Sequence, residues 1–288
     1  MNSSLLVLAN LPGTAEHTAY VAAALAAPLH LPLVLLHLDV YPVMLEPELV
    51  AAAAEQTARN EAETMDGLKA LARRLPGPTQ VVESAGIMAD AIEAAVHHHQ
   101  PLLLVMGLSA EHDLLDHLLQ NQVLPVLRGA HLPLLLVPKT AAKARAPRRV
   151  LLAVDGEPFT PTAAALSLAP LLAAWEADFT VAHVKANHAP LASPGNIALN
   201  NVKTSGLLPL GTVLELYEEC HVSPGVGVLQ AIDDTGADLL VLLARPRSFL
   251  EHRFHHSVTA QVLRHSRVPV LLVPVYAPEL PGWMPSMS

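Results

Sequence analysis

Residues 127–138 read LRGAHLPLLLVP and residues 263–274 read LRHSRVPVLLVP, one pattern repeated at a constant offset of 136. In each copy a leucine-arginine pair is followed by a short, unbroken apolar run with a proline at either end. A run of that length without alternation reads as a strand covered on both faces. Its recurrence makes the chain a duplication.

The match continues outward. Residues 5–10 (LLVLAN) pair with 150–155 (VLLAVD) at an offset of 145, so each half opens on a strand. His37 in LVLLHLDV corresponds to His183 in FTVAHVKA, and Ile92 in ADAIEAAV to Leu229 in GVLQAIDD. The offset falls from 146 to 137 between those pairs, so the second half is shorter in its middle. Residues 139–149 (KTAAKARAPRR) are basic, alanine-rich and without an apolar period, which marks a linker. The organisation expected is one domain over 1–140, a second over 149–276, and a tail at 277–288.

Within the first half, hydrophobic patterning predicts strands over 4–9, 32–39, 79–84, 101–107 and 132–138, with helices over 14–27, 46–75, 88–98 and 113–129. Strands alternating with helices imply a parallel sheet, and continuous apolar strands imply helices on both faces. The fold class expected is therefore α/β, as two tandem doubly wound five-stranded parallel-sheet domains. In the second half, residues 187–211 hold three prolines and three glycines among Asn and Ser, which predicts little helix there. Ligands of such sheets sit beyond the carboxyl ends of the strands, so the loops after strands 1 and 4 of each half are the places to look.

Composition narrows the function. A net charge of -9, with its basic residues dispersed apart from 145–149, offers no footprint for a phosphate backbone, which argues against nucleic acid. Mean hydropathy is +0.38, yet apolar runs such as 31–38 and 101–108 are too short to cross a bilayer. The single cysteine, Cys220, has no intramolecular partner, and MNSSLLVLANLPG lacks the pattern of a signal peptide, so a cytoplasmic location is expected.

These features together resemble the tandem universal stress proteins, across both halves and nearly the whole length. The LRH-x-x-x-PVLLVP ending carries most of the likeness, and Val154-Asp155-Gly156-Glu157, followed by a helix expected to begin near Thr160, resembles the Val-Asp-Gly-Ser that closes the first strand of family members. In ATP-binding members that Asp contacts adenine, and a glycine-rich loop after strand 4 wraps the ribose and phosphates. The resemblance thus implies a nucleotide site in the second half formed by Ala153, Asp155, Val184, Ala244, Arg247, Ser257, Val258 and Thr259. Ala244, Arg247 and His256 stand where the three glycines are expected, which weakens ATP (Mg) or AMP binding, while Arg247, His252, Arg253 and His255 could compensate in charge. In the first half Asn10 replaces the Asp, Gly107 survives, and Asn121-Gln122 replaces Gly-Ser, so no nucleotide is expected there.

Against that site stands the reading of the basic residues as a solvated loop, which the missing glycines favour. Two further alternatives remain: a nucleotide-free scaffold, forming a homodimer or an intramolecular pseudo-dimer through the last strand of each half, and, ranked last, an adenine-nucleotide hydrolase-type enzyme. No nucleophile elbow, P-loop or dinucleotide fingerprint occurs, so no catalytic residue is assigned. The Asp155/Glu157 pair reads as turn chemistry. His97–His99 and the 252–256 histidines lack the spacing of a ligand set, so no metal is expected. His37 and His183 read as core histidines.

Overall fold

The computed structural model describes residues 3–9, 14–39, 47–85, 88–108, 132–141, 144–186, 195–245 and 258–276. The helix expected over 113–129 and the tail lie outside these residues.

In the first half β1 (Leu5–Leu8), β2 (Leu33–Asp39), β3 (Thr79–Ala85), β4 (Leu103–Leu108) and β5 (Leu134–Pro138) alternate with α1 (Ala15–Ala26), α2 (Pro47–Arg74) and α3 (Met88–His99). The second half contributes β6 (Arg149–Ala153), a two-residue β7 (Thr160–Pro161), α4 (Ala163–Leu166), α5 (Ala169–Ala174), β8 (Asp178–Ala186), α6 (Gly195–Thr204), β9 (Leu214–His221), α7 (Pro224–Thr235), β10 (Leu239–Ala244), α8 (Val258–His265) and β11 (Val270–Tyr276). Where both can be compared, the expected first-half elements agree with these to within about two residues, a normal margin for element ends.

The strands run in the order β3-β2-β1-β4-β5-β11-β10-β6-β8-β9, and β7 pairs with the end of β11. Pairing is parallel inside each half, except for the short antiparallel contact of β7 with the end of β11. The halves meet where β5 and β11 run antiparallel, with Leu135 opposite Leu271. These are equivalent residues of the repeat, so a local two-fold axis passes between them. The two five-stranded sheets are thereby one continuous sheet.

Successive strand side chains point to opposite faces, and the two cores follow that rule. Leu5, Val7, Leu103 and Val105 join Leu152, Val181, Val241 and Leu271 on the face covered by α1, α2, α4, α5 and α6. Leu6, Leu8, Leu104 and Met106 join Leu151, Ala182, Leu240 and Leu272 beneath α3, α7 and α8. Each core therefore crosses from one half to the other. With each fully buried leucine contributing roughly 1.5–3 kcal/mol, the junction is as apolar as the halves themselves. Trp175, after α5, adds a polar tie by donating its indole N–H to Leu25 O at 3.1 Å.

Two expectations need correction. Residues 195–204 form the ten-residue helix α6 inside the stretch read as nearly helix-free. Gly206, Pro209 and Gly211 all follow it, with Gly206 and Gly211 at positive φ, while Ala198 and Val202 bury themselves in the core at helical spacing. These breakers mark the end of the helix instead of preventing it. The second correction concerns the helix expected from about Thr160. Thr160 and Pro161 instead pair with Tyr276 and Val275, and the helix begins at Ala163, where Thr162 Oγ1 caps it by accepting from Ala165 N. The linker is anchored as well: Asp238 accepts from the amides of Arg148 and Arg149 and from the Arg145 guanidinium.

Candidate functional site

A cavity of ≈ 240 Å³ opens at the carboxyl ends of β6, β8 and β10. Strand order reverses between β6 and β10, because β8 follows on one side of β6 and β10 on the other. That is the crevice in which doubly wound sheets hold ligands. β6 leads into Ala153, Val154 and Asp155; β8 supplies Ala182 and Val184; β10 supplies Leu242 and Leu243 and is followed by Arg245; α7 contributes Pro224 and Val228; α8 begins with Val258 and Thr259. The wall is thus mostly aliphatic, with a carboxylate, a guanidinium and a hydroxyl.

Asp155 sits in a turn made possible by Gly156 at φ +84. Its Oδ1 accepts from Glu157 N at 3.0 Å, the turn chemistry expected, and also from Arg245 Nη2 at 2.8 Å. Arg245 reaches Glu157 Oε2 at 3.2 Å and donates to the backbone oxygens of Glu157 and Pro158. Its side chain is only 9% exposed, whereas those of Asp155 and Glu157 are 53% and 70% exposed. A buried guanidinium thus holds the 155–158 turn to the end of β10. From the other side, Asn201 of α6 donates to Gly156 O at 3.2 Å.

The remaining walls are set by close packing. A side chain at Gly227 would come within 2.5 Å of Val184 Cγ1, so the glycine lets α7 press on the wall of the cavity. Gly225 passes equally close to Gln261 of α8, whose Oε1 accepts from Ser223 Oγ at 2.8 Å. Behind the wall His183 is 2% exposed, with Nδ1 3.0 Å from Val154 O, a core histidine as its surroundings suggested. Lys185 of β8 pairs with Glu218 of β9. Hydrogen bonding to Lys185 holds the Glu218 carboxyl below its usual range, helped by the Gly195 amide and opposed by burial.

Of the residues assigned from sequence, Ala153, Asp155, Val184, Val258 and Thr259 line the cavity together. Arg247 and Ser257 lie outside the described residues, as do His252, Arg253, His255 and His256. Ala244 is buried at the end of β10 and is not part of the wall. The register corrects its assignment. Gly107 faces Val137 in β5, and Leu243 faces Val273 in β11 at the same offset of 136. Leu243, not Ala244, therefore takes the place of Gly107. In the first half a side chain at Gly107 would meet Thr18 Oγ1 at 2.6 Å and Thr14 Oγ1 at 3.0 Å, so the close pass of α1 requires that glycine.

Arg245 and Leu243 are wall residues that sequence reasoning missed, together with the aliphatic Val154, Ala182, Pro224, Val228 and Leu242. A signal for the first was present: a cation directly after an apolar strand, with an aspartate just past the end of the neighbouring strand. Elsewhere, His97–His99 occupy the last turn of α3, where burial, then the neighbouring His98, lowers the pKa of His99. Among the described residues no group of three His, Cys, Asp or Glu is placed to hold a metal, and no helix is long and apolar enough to cross a membrane.

No curated protein matches the chain in sequence. Among solved structures, a universal stress protein from Archaeoglobus fulgidus DSM 4304 superposes with a TM-score of 0.66 at 14% identity, covering 94% of this chain and 96% of its own. A putative universal stress protein from Pseudomonas aeruginosa UCBPP-PA14 gives 0.55 at 17% identity, covering 94% and 93%. At these identities the likeness is one of fold. The sequence model of the universal stress protein family matches residues 1–138 and 208–274, more than half of the chain. With a repeated α/β unit and a matching family pattern in both halves, the chain belongs to the universal stress protein family.

Proposed function

We propose that this is a non-catalytic stress-response protein of the cytoplasm whose second half binds an adenine nucleotide weakly. The observation that carries the reading is the cavity at the switch point, where Ala153, Asp155, Val184, Val258 and Thr259 meet. Its ≈ 240 Å³ lies below the 300–1,000 Å³ of sites that enclose a drug-sized ligand, so it fits a nucleobase with the remainder of the ligand outside. Asp155 would accept from the base, Val184 and Val258 would cover its faces, and Thr259 would stand nearest the sugar.

The nucleotide-free scaffold is the second reading. Leu243 favours it, because a leucine narrows the wall where the first half has glycine.

Denaturing the purified protein and chromatographing the supernatant separates the two. Released adenine nucleotide, or a rise in Tm on adding Mg-ATP or AMP, supports the nucleotide site. Neither signal, with ligand up to the millimolar range, leaves the scaffold.

A further inference from the structure

Arg245 is spent on the protein's own mouth loop, and that decides what Asp155 can recognise. The guanidinium meets Asp155 Oδ1, Glu157 Oε2, Glu157 O and Pro158 O, and five N–H donors in a planar fork leave little to offer a ligand. Asp155 Oδ1 is likewise spent, on Arg245 and on Glu157 N. Asp155 Oδ2 has no protein partner among the described residues, and Asp155 lines the cavity. The site therefore shows its ligand one carboxylate oxygen held in place by the guanidinium on its neighbour, in a wall otherwise built largely from aliphatic side chains.

Such an oxygen suits a neutral N–H donor on a flat, apolar ring.

We propose that Arg245 is a positioning residue that sets the specificity of the cavity: by fixing Asp155, it selects rings bearing an uncharged amine over rings without one. This inference rests on the nucleotide reading given above. It is distinct from the solvated-loop role considered for the other basic residues, since Arg245 is buried and faces inward.

The test compares two ligands on three proteins. Binding of AMP and of purine riboside monophosphate, which lacks the exocyclic amine, is measured by calorimetry for the wild type, Arg245→Met and Arg245→Lys, with folding checked by circular dichroism. One hydrogen bond to a charged acceptor predicts a wild-type preference for AMP of about tenfold or more. Arg245→Met should bring that ratio to about twofold or less, because Asp155 loses its fixed orientation. Arg245→Lys keeps the charge and most of the bulk but cannot reach all four acceptors, so it should retain an intermediate ratio and serves if the methionine variant does not fold. A purely structural role for Arg245 would weaken both ligands together and leave the ratio unchanged, which overturns the inference while the nucleotide site stands. Absence of binding of either ligand to folded wild-type protein overturns both.

Discussion

At the scale of single residues, the second-half cavity depends on a few side chains that touch its wall without forming most of it. Gly227→Ala would drive a methyl group into Val184. We expect a loss of about 1–3 kcal/mol in chemical denaturation, the usual cost of overpacking, together with weaker nucleotide binding as Val184 is pushed inward. Leu243→Gly tests the register-based assignment from the other direction. It should lower stability by about 1–3 kcal/mol through lost burial and added backbone freedom and tighten adenine-nucleotide binding in the same titration. Unchanged affinity would show that Leu243 does not limit the site. The sequence showed the aspartate and the small and branched residues of this wall, because a strand-ending motif and a duplicated pattern both point to it. Leu243 and Arg245 stayed hidden because whether a side chain is in the wall depends on a single position of register, and the motif was aligned one residue late.

At the scale of elements, β9 is the outer strand of the second half, and polar contacts tie it down. Tyr217 O–H lies 2.7 Å from both Glu219 Oε2 of its own strand and Asp234 Oδ2 of α7. Burial, then these two hydrogen bonds, raises its pKa above the usual 10.0. The phenol thus holds its proton more tightly in the folded chain than in the unfolded one. Its contribution is complete below pH 10.0 and fades as pH rises beyond that, since deprotonation favours unfolding. Tyr217→Phe should therefore flatten the alkaline limb of a stability-against-pH curve, and an unchanged limb would refute the assignment. Glu218 acts at the acid end with the opposite sign: its carboxyl is held down by Lys185, so its contribution is present above pH 4.5 and is lost as pH falls below it. The existence and order of elements were legible because strands buried on both faces leave unbroken apolar runs. Helix α6 was not legible, since the proline and glycine count over 187–211 was dominated by residues at its ends. The short strand β7 left no periodic signal at all.

At the scale of the molecule, both cores cross the junction and β5 pairs with β11, so the described halves should unfold together. Fluorescence of Trp175, whose indole donates to Leu25 across the junction, should change in one transition that coincides with loss of helical circular dichroism. Trp175→Phe should lower stability by about 1 kcal/mol, the typical net value of one hydrogen bond. A fragment ending near residue 140 would expose the apolar edge of β5 and should self-associate in sedimentation. A monomeric, folded fragment would show that the junction is dispensable. Duplication was the part of this arrangement written most plainly in the chain; the antiparallel join was only one of the pairings that the last strands allowed.

The join at β5 and β11 also changes what the protein can become. When two identical chains associate through such an edge, every change in one site appears in the other, and assembly weakens on dilution. Fusing both copies into one chain makes their meeting independent of protein concentration and frees each copy to vary alone. The molecule bears that asymmetry: Thr14 and Thr18 close on Gly107 in one copy, while the other keeps an open crevice beneath Arg245.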